Sequence, residues 1–304
     1  MPELPEVEVV RAGLAPAMTG ARIVSVAVQD ERALTRHAAG AADFVARLEG
    51  SEVATVARRG KFLWMPLATA GSDGRSAIVG HLGMSGQLLL RRPDAEAERH
   101  ERIRLFIEHP QHGELAVVFA DQRTFGSLAV DALVPTADAR AAGWGSAEPF
   151  IPSQVSHIAR DPMDEAFQDG VFRGALRTRS SAIKRVLLDQ GLISGVGNIY
   201  ADESLWAARI HPETPASALP TVAVNRLLAE VRAVLEKALA EGGTSFDAQY
   251  VNVNGEAGYF AHSLNAYGRT GQPCPRCGGP IRRDAFMNRS SHFCPRCQRI
   301  SRRP

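Results

Sequence analysis

Cys274-Pro275-Arg276-Cys277 and, sixteen residues on, Cys294-Pro295-Arg296-Cys297 contain every cysteine of the chain. Two close pairs at this separation can bring four thiolates around one Zn²⁺ as a tetrahedron. Gly278-Gly279 suits a tight turn after the first pair. Four thiolates leave no open coordination position, so one structural zinc is expected rather than a catalytic one. The competing reading, two disulfides, does not suit a chain without a secretion signal. His292 could replace a ligand, although a plain surface or loop role is the simpler expectation. Arg276, Arg282, Arg283, Arg289 and Arg296 crowd the same segment. A small zinc hairpin with this much positive charge fits a polyphosphate such as nucleic acid, against the alternative of a solvated charged face.

Outward from this finger, the charge is uneven. The 304 residues carry 35 Lys plus Arg against 33 Asp plus Glu, a balance of only +2. Asn265–Pro304 holds nine Arg and one acidic residue, so the finger and tail are strongly basic and the rest is acidic. Lysine occurs at Lys61, Lys184 and Lys237 alone, which suggests placed roles for a compact, flexible cation. An apolar share of 45% supports a packed core and excludes a disordered or fibrous chain. The longest uncharged stretch, Ser76–Leu90, is fifteen residues, below the roughly 18 that a membrane span needs. With no signal peptide read at the start, a cytoplasmic location and no membrane partner are expected.

The period of the apolar residues divides the chain. Leu4, Val7, Val10 and Leu14 recur at helical spacing behind Pro5 and the acidic Glu3, Glu6 and Glu8. Short Val-, Ile-, Leu- and Phe-rich runs follow at Arg22–Val28, Glu52–Arg58, Phe62–Leu67, Ala77–Leu82, Gln87–Leu90, Arg102–Glu108 and Glu114–Phe119. Seven to eight such strands predict a sandwich or barrel. Residues 135–162 are rich in Pro and Gly and read as a connector. Helices are predicted over Ser181–Asp189, Gly197–Ala208 and Pro220–Glu241. The expected class is α+β in two domains: an N-terminal helix plus β-sandwich at 1–134, a helical domain at 163–262, and a zinc finger with basic tail at 263–304.

Three further motifs could carry chemistry. If Met1 is excised, Pro2 presents a secondary amine able to form a Schiff base, with Glu3 beside it to move protons; an ordinary helix start explains the same residues and is the simpler reading. Gly195-Val196-Gly197-Asn198-Ile199-Tyr200 suits either a phosphate at a helix N-terminus or a plain helix–helix turn. Met84 on the Gly83–Gly86 turn, and Arg123 with Phe125, could fill an opened base stack, but core packing of Met84 and Phe125 is the simpler reading.

The combination resembles the formamidopyrimidine-DNA glycosylases, bacterial repair enzymes for oxidised purines. The resemblance runs nearly end to end: Pro2-Glu3-Leu4-Pro5-Glu6, Arg59-Gly60-Lys61-Phe62-Leu63, His81-Leu82-Gly83-Met84-Ser85-Gly86, Gly195–Ala201, Gly242-Gly243-Thr244, Gly258-Tyr259-Phe260, Tyr267-Gly268-Arg269 and the four-cysteine finger. It implies a helix-two-turn-helix bundle in the second domain and a bifunctional enzyme that excises the damaged base and nicks the abasic site by β,δ-elimination. Pro2 would be the nucleophile and Glu3 its acid/base partner, with Lys61 and Arg289 completing the catalytic set on phosphate. Lys184, Asn198, Tyr200 and His81 would contact DNA. Met84, Arg123 and Phe125 would fill the gap left by the flipped nucleotide. Glu6, Thr244 and Tyr259 would border the lesion, under a mobile loop spanning Thr244–Tyr259.

The implied partner is damaged double-stranded DNA, bound by a monomer with no organic cofactor. Thr124 stands where the family often has a second Arg, and the Ala68–Arg75 loop and the tail after Cys297 look lengthened. An endonuclease VIII-type enzyme for oxidised pyrimidines is the nearest alternative. A non-catalytic zinc-ribbon DNA binder is the other, though it would have no need of Pro2, Glu3 and Lys61.

Overall fold

A computed structural model describes residues 2–68, 75–244, 252–256 and 258–300. The expectations placed on Met1, on the 69–74 insertion, on most of the 245–257 loop and on Arg302 and Arg303 lie outside the described residues. The chain divides into two compact units, Met1–His157 with Gly242–Gly258, and Ile158–Glu241 with Tyr259–Pro304.

The first unit opens on α1 (Leu4–Met18), with Glu3 at its N-cap. The Glu6 carboxylate accepts the Glu3 N–H at 2.8 Å, so the first turn is closed by a side chain from inside it. Pro5 fits there because its missing N–H would have had no intrahelical partner. Leu4, Val7, Val10, Leu14 and Met18 are buried along one face. Ten strands follow: β1 (Arg22–Val28), β2 (Glu52–Val53), β3 (Ala57–Arg59), β4 (Phe62–Ala68), β5 (Ser76–His81), β6 (Gly86–Arg91), β7 (Glu101–His109), β8 (Gly113–Asp121), β9 (Ser127–Pro135) and β10 (Phe150–Pro152). α2 (Gly40–Leu48) lies between β1 and β2. All pair antiparallel, in the order β10-β9-β5-β4-β2-β1-β7-β8-β6, with β3 on β4. Ile23, Met65, Ile78, Leu105, Phe119 and Val130 come from strands across this order, yet they share one core with Leu14 and Met18 of α1. The sheet therefore folds over on itself as a sandwich.

Two expectations change. Glu52–Arg58 is two strands, because Val53 pairs with Leu67 and Ala57 with Trp64. The extra residue on that side interrupts the ladder. The expected connector is also structured. It adds β10 to the sheet edge and fastens to β3, where Arg58 and Trp144 exchange backbone hydrogen bonds of 2.9 and 3.0 Å. Arg59 Nε donates to the Ala142 carbonyl at 2.7 Å. Gly143 permits this approach, since a Cβ there would lie 2.2 Å from the Arg58 carbonyl oxygen.

The second unit contains α3 (Asp169–Arg177), α4 (Ile183–Leu187), α5 (Asn198–Ala207), α6 (Thr221–Ala240) and a hairpin of β11 (Arg282–Phe286) with β12 (Arg289–Phe293). Val224, Leu227, Leu228, Val231 and Leu235 form the buried stripe of α6. No helix among the described residues is long and apolar enough to cross a membrane.

Leu14 is fully buried on α1. Leu14→Ala should lower the unfolding free energy by about 2–5 kcal/mol, read as a lower urea midpoint at unchanged slope.

Candidate functional site

The N-terminal residues sit on a stiff base. Pro2 and Glu3 are buried at the head of α1. Glu6 ties this head to a distant part of the chain: its Oε1 accepts the Thr244 N–H at 2.8 Å and the Thr244 hydroxyl at 2.7 Å. Thr244 begins the expected lesion loop, whose other end returns to the same place. A Cβ on Gly258 would lie 2.3 Å from the Gly242 carbonyl oxygen. Between these ends, Val253 is buried in the core of the unit. It lies against α1, where a Cβ on Gly13 would meet its methyl at 2.7 Å.

Lys61 is buried in the turn between β3 and β4. Arg58, three residues earlier, links that turn to α1. Its Nε donates to Glu8 Oε2 at 2.7 Å, and a terminal nitrogen donates to the Gly60 carbonyl at 3.2 Å. Across β4 and β5, His81 is paired with Phe62, the two rings 4.7 Å apart. Burial first, then the charges of Arg36 and Lys61, pushes His81 down to about 4. It is neutral near pH 7, and its Nδ1 accepts the Gly83 N–H at 3.1 Å.

Met84 is half-buried and Arg123 is exposed. Phe125 is 59% exposed, so core packing is not its role. The Arg123 guanidinium lies 5.2 Å from the centre of the Phe125 ring.

In the second unit, Asn198 stands half-buried at the start of α5, after Gly197. Two expected DNA contacts are corrected. Tyr200 has no exposed surface and its ring lies 5.6 Å from that of Phe260. Lys184 is also fully buried: its Nζ meets Asp202 Oδ1 at 2.7 Å, the Ser290 carbonyl at 2.8 Å and Ser291 Oγ at 3.0 Å. Three partners match its three donors, so this cation braces the unit instead of holding phosphate. Asp202 Oδ2 accepts the His292 N–H at 2.8 Å. His292 is therefore a buried partner of α5, not a loose loop residue or a spare ligand.

Glu203, next on α5, accepts the N–H groups of Asn265, Ala266 and Tyr267 at 2.8–2.9 Å. Burial pushes its pKa upward, and these hydrogen bonds oppose that shift. Arg289 is exposed at the hairpin tip. Beside it lies a cleft of about 710 Å³ lined in part by Ser181, Arg185, Asn288 and the ion pair of Arg179 with Asp189 at 2.6 Å. Tyr259 is 75% exposed.

The four cysteine sulfurs lie within 4.8 Å of one another, compatible with a shared zinc at about 2.3 Å from each. The Trp206 indole N–H points at Cys274 Sγ, 3.4 Å away. This donor set fits one structural zinc ion. Asp202, Glu203 and Trp206 were not singled out from the sequence. Acidic residues following an Asn-Ile-Tyr run were the available signal, but their burial was not readable.

A folded sheet with a buried Pro-Glu helix head, in one chain with a helical unit and an arginine-rich zinc-binding hairpin, defines a zinc-finger DNA-processing enzyme. Comparison with known proteins specifies the class. Residues 1–128 match the formamidopyrimidine-DNA glycosylase N-terminal domain, 158–249 its H2TH domain, and 271–300 the zinc finger found in FPG and IleRS. A formamidopyrimidine-DNA glycosylase of Leifsonia xyli is 65% identical, over 99% of this chain and all of the relative. The structure is similar to Lactococcus lactis Fpg crystallised with abasic-site DNA, at TM-score 0.79 and 30% identity, covering 98% of this chain and 99% of that one. A complex of the same Lactococcus lactis protein with Fapy-dG DNA gives the same TM-score and identity, covering 98% and 100%. The chain belongs to the formamidopyrimidine-DNA glycosylase family, enzymes of DNA base-excision repair.

Lys184→Met should destabilise the protein by about 3–5 kcal/mol, because Asp202 is left as an uncompensated buried charge. The slope of log affinity against log salt should stay unchanged, whereas Arg289→Ala should reduce that slope by about 1. His81 in the folded state sits below its ordinary pKa of 6.5. As pH falls, the unfolded chain therefore takes up its proton first. The His81 contribution is complete above pH 6.5 and is lost toward pH 4. His81→Gln should flatten that part of a stability–pH curve measured by urea melts.

Proposed function

We propose that this protein excises oxidised purines from duplex DNA and then cleaves the abasic site, with Pro2 as nucleophile. The observation that carries this reading is the buried Pro2-Glu3 head of α1, clamped by Glu6 and coupled through Glu8 and Arg58 to the turn bearing Lys61. A non-catalytic binder has no use for that construction. After removal of Met1, the Pro2 secondary amine attacks the sugar C1′. The N–C1′ bond forms as the glycosidic bond breaks, and the base leaves with the bonding pair and takes a proton. Ring opening then places the C1′–O4′ pair on O4′, which Glu3 protonates, leaving an iminium. Loss of a C2′ proton expels the 3′ phosphate, and loss of the C4′ proton expels the 5′ phosphate.

In this reading Lys61, Asn198 and Arg289 hold phosphates, and Met84, Arg123 and Phe125 occupy the space of the flipped nucleotide. Glu6 and Thr244 fix one end of the lesion loop, and Tyr259 is its other end. The zinc orders the hairpin carrying Arg289 and takes no part in bond breaking. The enzyme works as a monomer in the cytoplasm, at the nucleoid. The purine-directed reading rests on the Met84, Arg123 and Phe125 set and the long loop.

Borohydride reduction during incubation with an 8-oxoguanine:cytosine duplex tests it. A covalent adduct is expected with the mature N-terminus and none when Met1 is retained. Absence of the first, or persistence in the second, would refute Pro2 as nucleophile. Faster trapping on a duplex carrying an oxidised pyrimidine would favour the endonuclease VIII-type assignment.

A further inference from the structure

The two loops carrying Met84 and the Arg123–Phe125 pair are joined by a buried carboxylate. We propose that Asp121, acting through Ser85, is the positioning residue that holds Met84, Arg123 and Phe125 as one preformed wedge. This deepens the glycosylase reading above and rests on it.

Asp121 ends β8 and is 1% exposed. Its Oδ1 accepts the Ser85 hydroxyl at 2.5 Å and the Arg123 N–H at 3.1 Å. Its Oδ2 accepts the Gly126 N–H at 2.7 Å. Ser85 Oγ in turn accepts the Arg123 N–H at 3.1 Å. One carboxylate thus closes the loop on both sides of Thr124-Phe125 and reaches the turn that presents Met84. The donors around it are neutral, so the bonds are directional: they fix particular N–H groups and do not merely neutralise a charge.

Two further observations support the coupling. The loops touch backbone to backbone, since a Cβ on Gly83 would lie 2.3 Å from the Gly126 nitrogen and 2.4 Å from the Phe125 carbonyl carbon. Thr124 is held at φ +54°, a left-handed conformation that a β-branched residue rarely adopts. Such strain persists where the surroundings over-determine it. Here the residue before Thr124 and the residue two after it both donate to Asp121. The strain has a visible product, because Phe125 is directed outward at 59% exposure instead of folding onto the sheet. A wedge that is already extended loses little conformational freedom when it enters a base stack.

The test compares two duplexes under single turnover. In one, 8-oxoguanine is paired with cytosine and must be unstacked. In the other, it lies in an unpaired bubble, where little stacking needs to be broken. Asp121→Asn places an amide NH₂ against donors, and Ser85→Ala removes the link while keeping the carboxylate. Both should slow excision from the paired duplex by about 10- to 100-fold, the size of effect that a small misplacement near a reacting centre produces. Excision from the bubble should change by less than about threefold, with zinc content and thermal midpoint of Ser85→Ala close to wild type. Equal losses on both substrates would show a structural role only, and no loss on either would remove the coupling; either outcome overturns the proposal. Wild-type protein that traps on neither substrate would instead overturn the underlying glycosylase reading.

Discussion

Lys184 and Asp202 face each other at 2.7 Å, and neither has any exposed surface. Taking two charges out of water costs several kcal/mol for each ion, and the attraction offsets this only when geometry and additional hydrogen bonds are good. Here they are, and three elements meet in them: α4 supplies the lysine, α5 the aspartate, and β12 the Ser290 carbonyl, the Ser291 hydroxyl and the His292 N–H. Asn198 begins the helix that holds Asp202, and Arg289 begins the strand bonded to both members of the pair. The distance between these two proposed phosphate holders is therefore set by a buried ionic centre. One turn further along α5, Trp206 reaches Cys274 and Glu203 gathers the segment leading into the finger. Zinc, helix and hairpin are parts of one brace.

The first unit meets the same requirement with different chemistry. Its nucleophile candidate is a chain terminus, the part of a protein most prone to fray. Glu6 counters this by bonding backward to Glu3 and across to Thr244. Arg58 and Glu8 then connect the helix to the turn of Lys61. Each tie uses a charged group against a backbone group or a single counter-charge, in places where apolar packing would hold position less sharply.

The architecture was legible wherever a residue type has a narrow physical use. Four cysteines at zinc spacing gave the finger, and period changes gave α1, α6 and most strands. Counting those strands narrowed the first half to a sandwich or barrel. The breaks between β2 and β3 and the docking of the 142–145 segment were not legible, because they depend on register and on backbone approach at Gly143. Nor were α2 and α3, each with only two fully buried anchors, Phe44 with Leu48 and Phe172 with Leu176. At the site, the sequence marked Tyr200 as a surface group because it shares a motif with Asn198, and Lys184 because a scarce lysine on the preceding helix suits a phosphate. Burial along α5 does not follow a simple stripe, and only coordinates separate the half-buried Asn198 from the fully buried Tyr200 and Asp202. Asp121 escaped notice for a related reason: its importance lies in which N–H groups it accepts, and no spacing rule encodes that.

The meeting of Gly242 and Gly258 has a consequence for how this family can diversify. The chain enters the first unit at Gly242 and leaves it after Gly258, at almost the same point, held there by Glu6 on one side and by backbone contact on the other. For a loop with fixed ends, the entropic cost of closure grows only with the logarithm of its length. The residues in between form a cassette. Apart from Val253, which is anchored in the core, they can be lengthened or rewritten with small thermodynamic consequence for the sandwich beneath. In the glycosylase reading proposed above, exchange of that cassette would shift substrate range while the chemistry at the helix head stays unchanged.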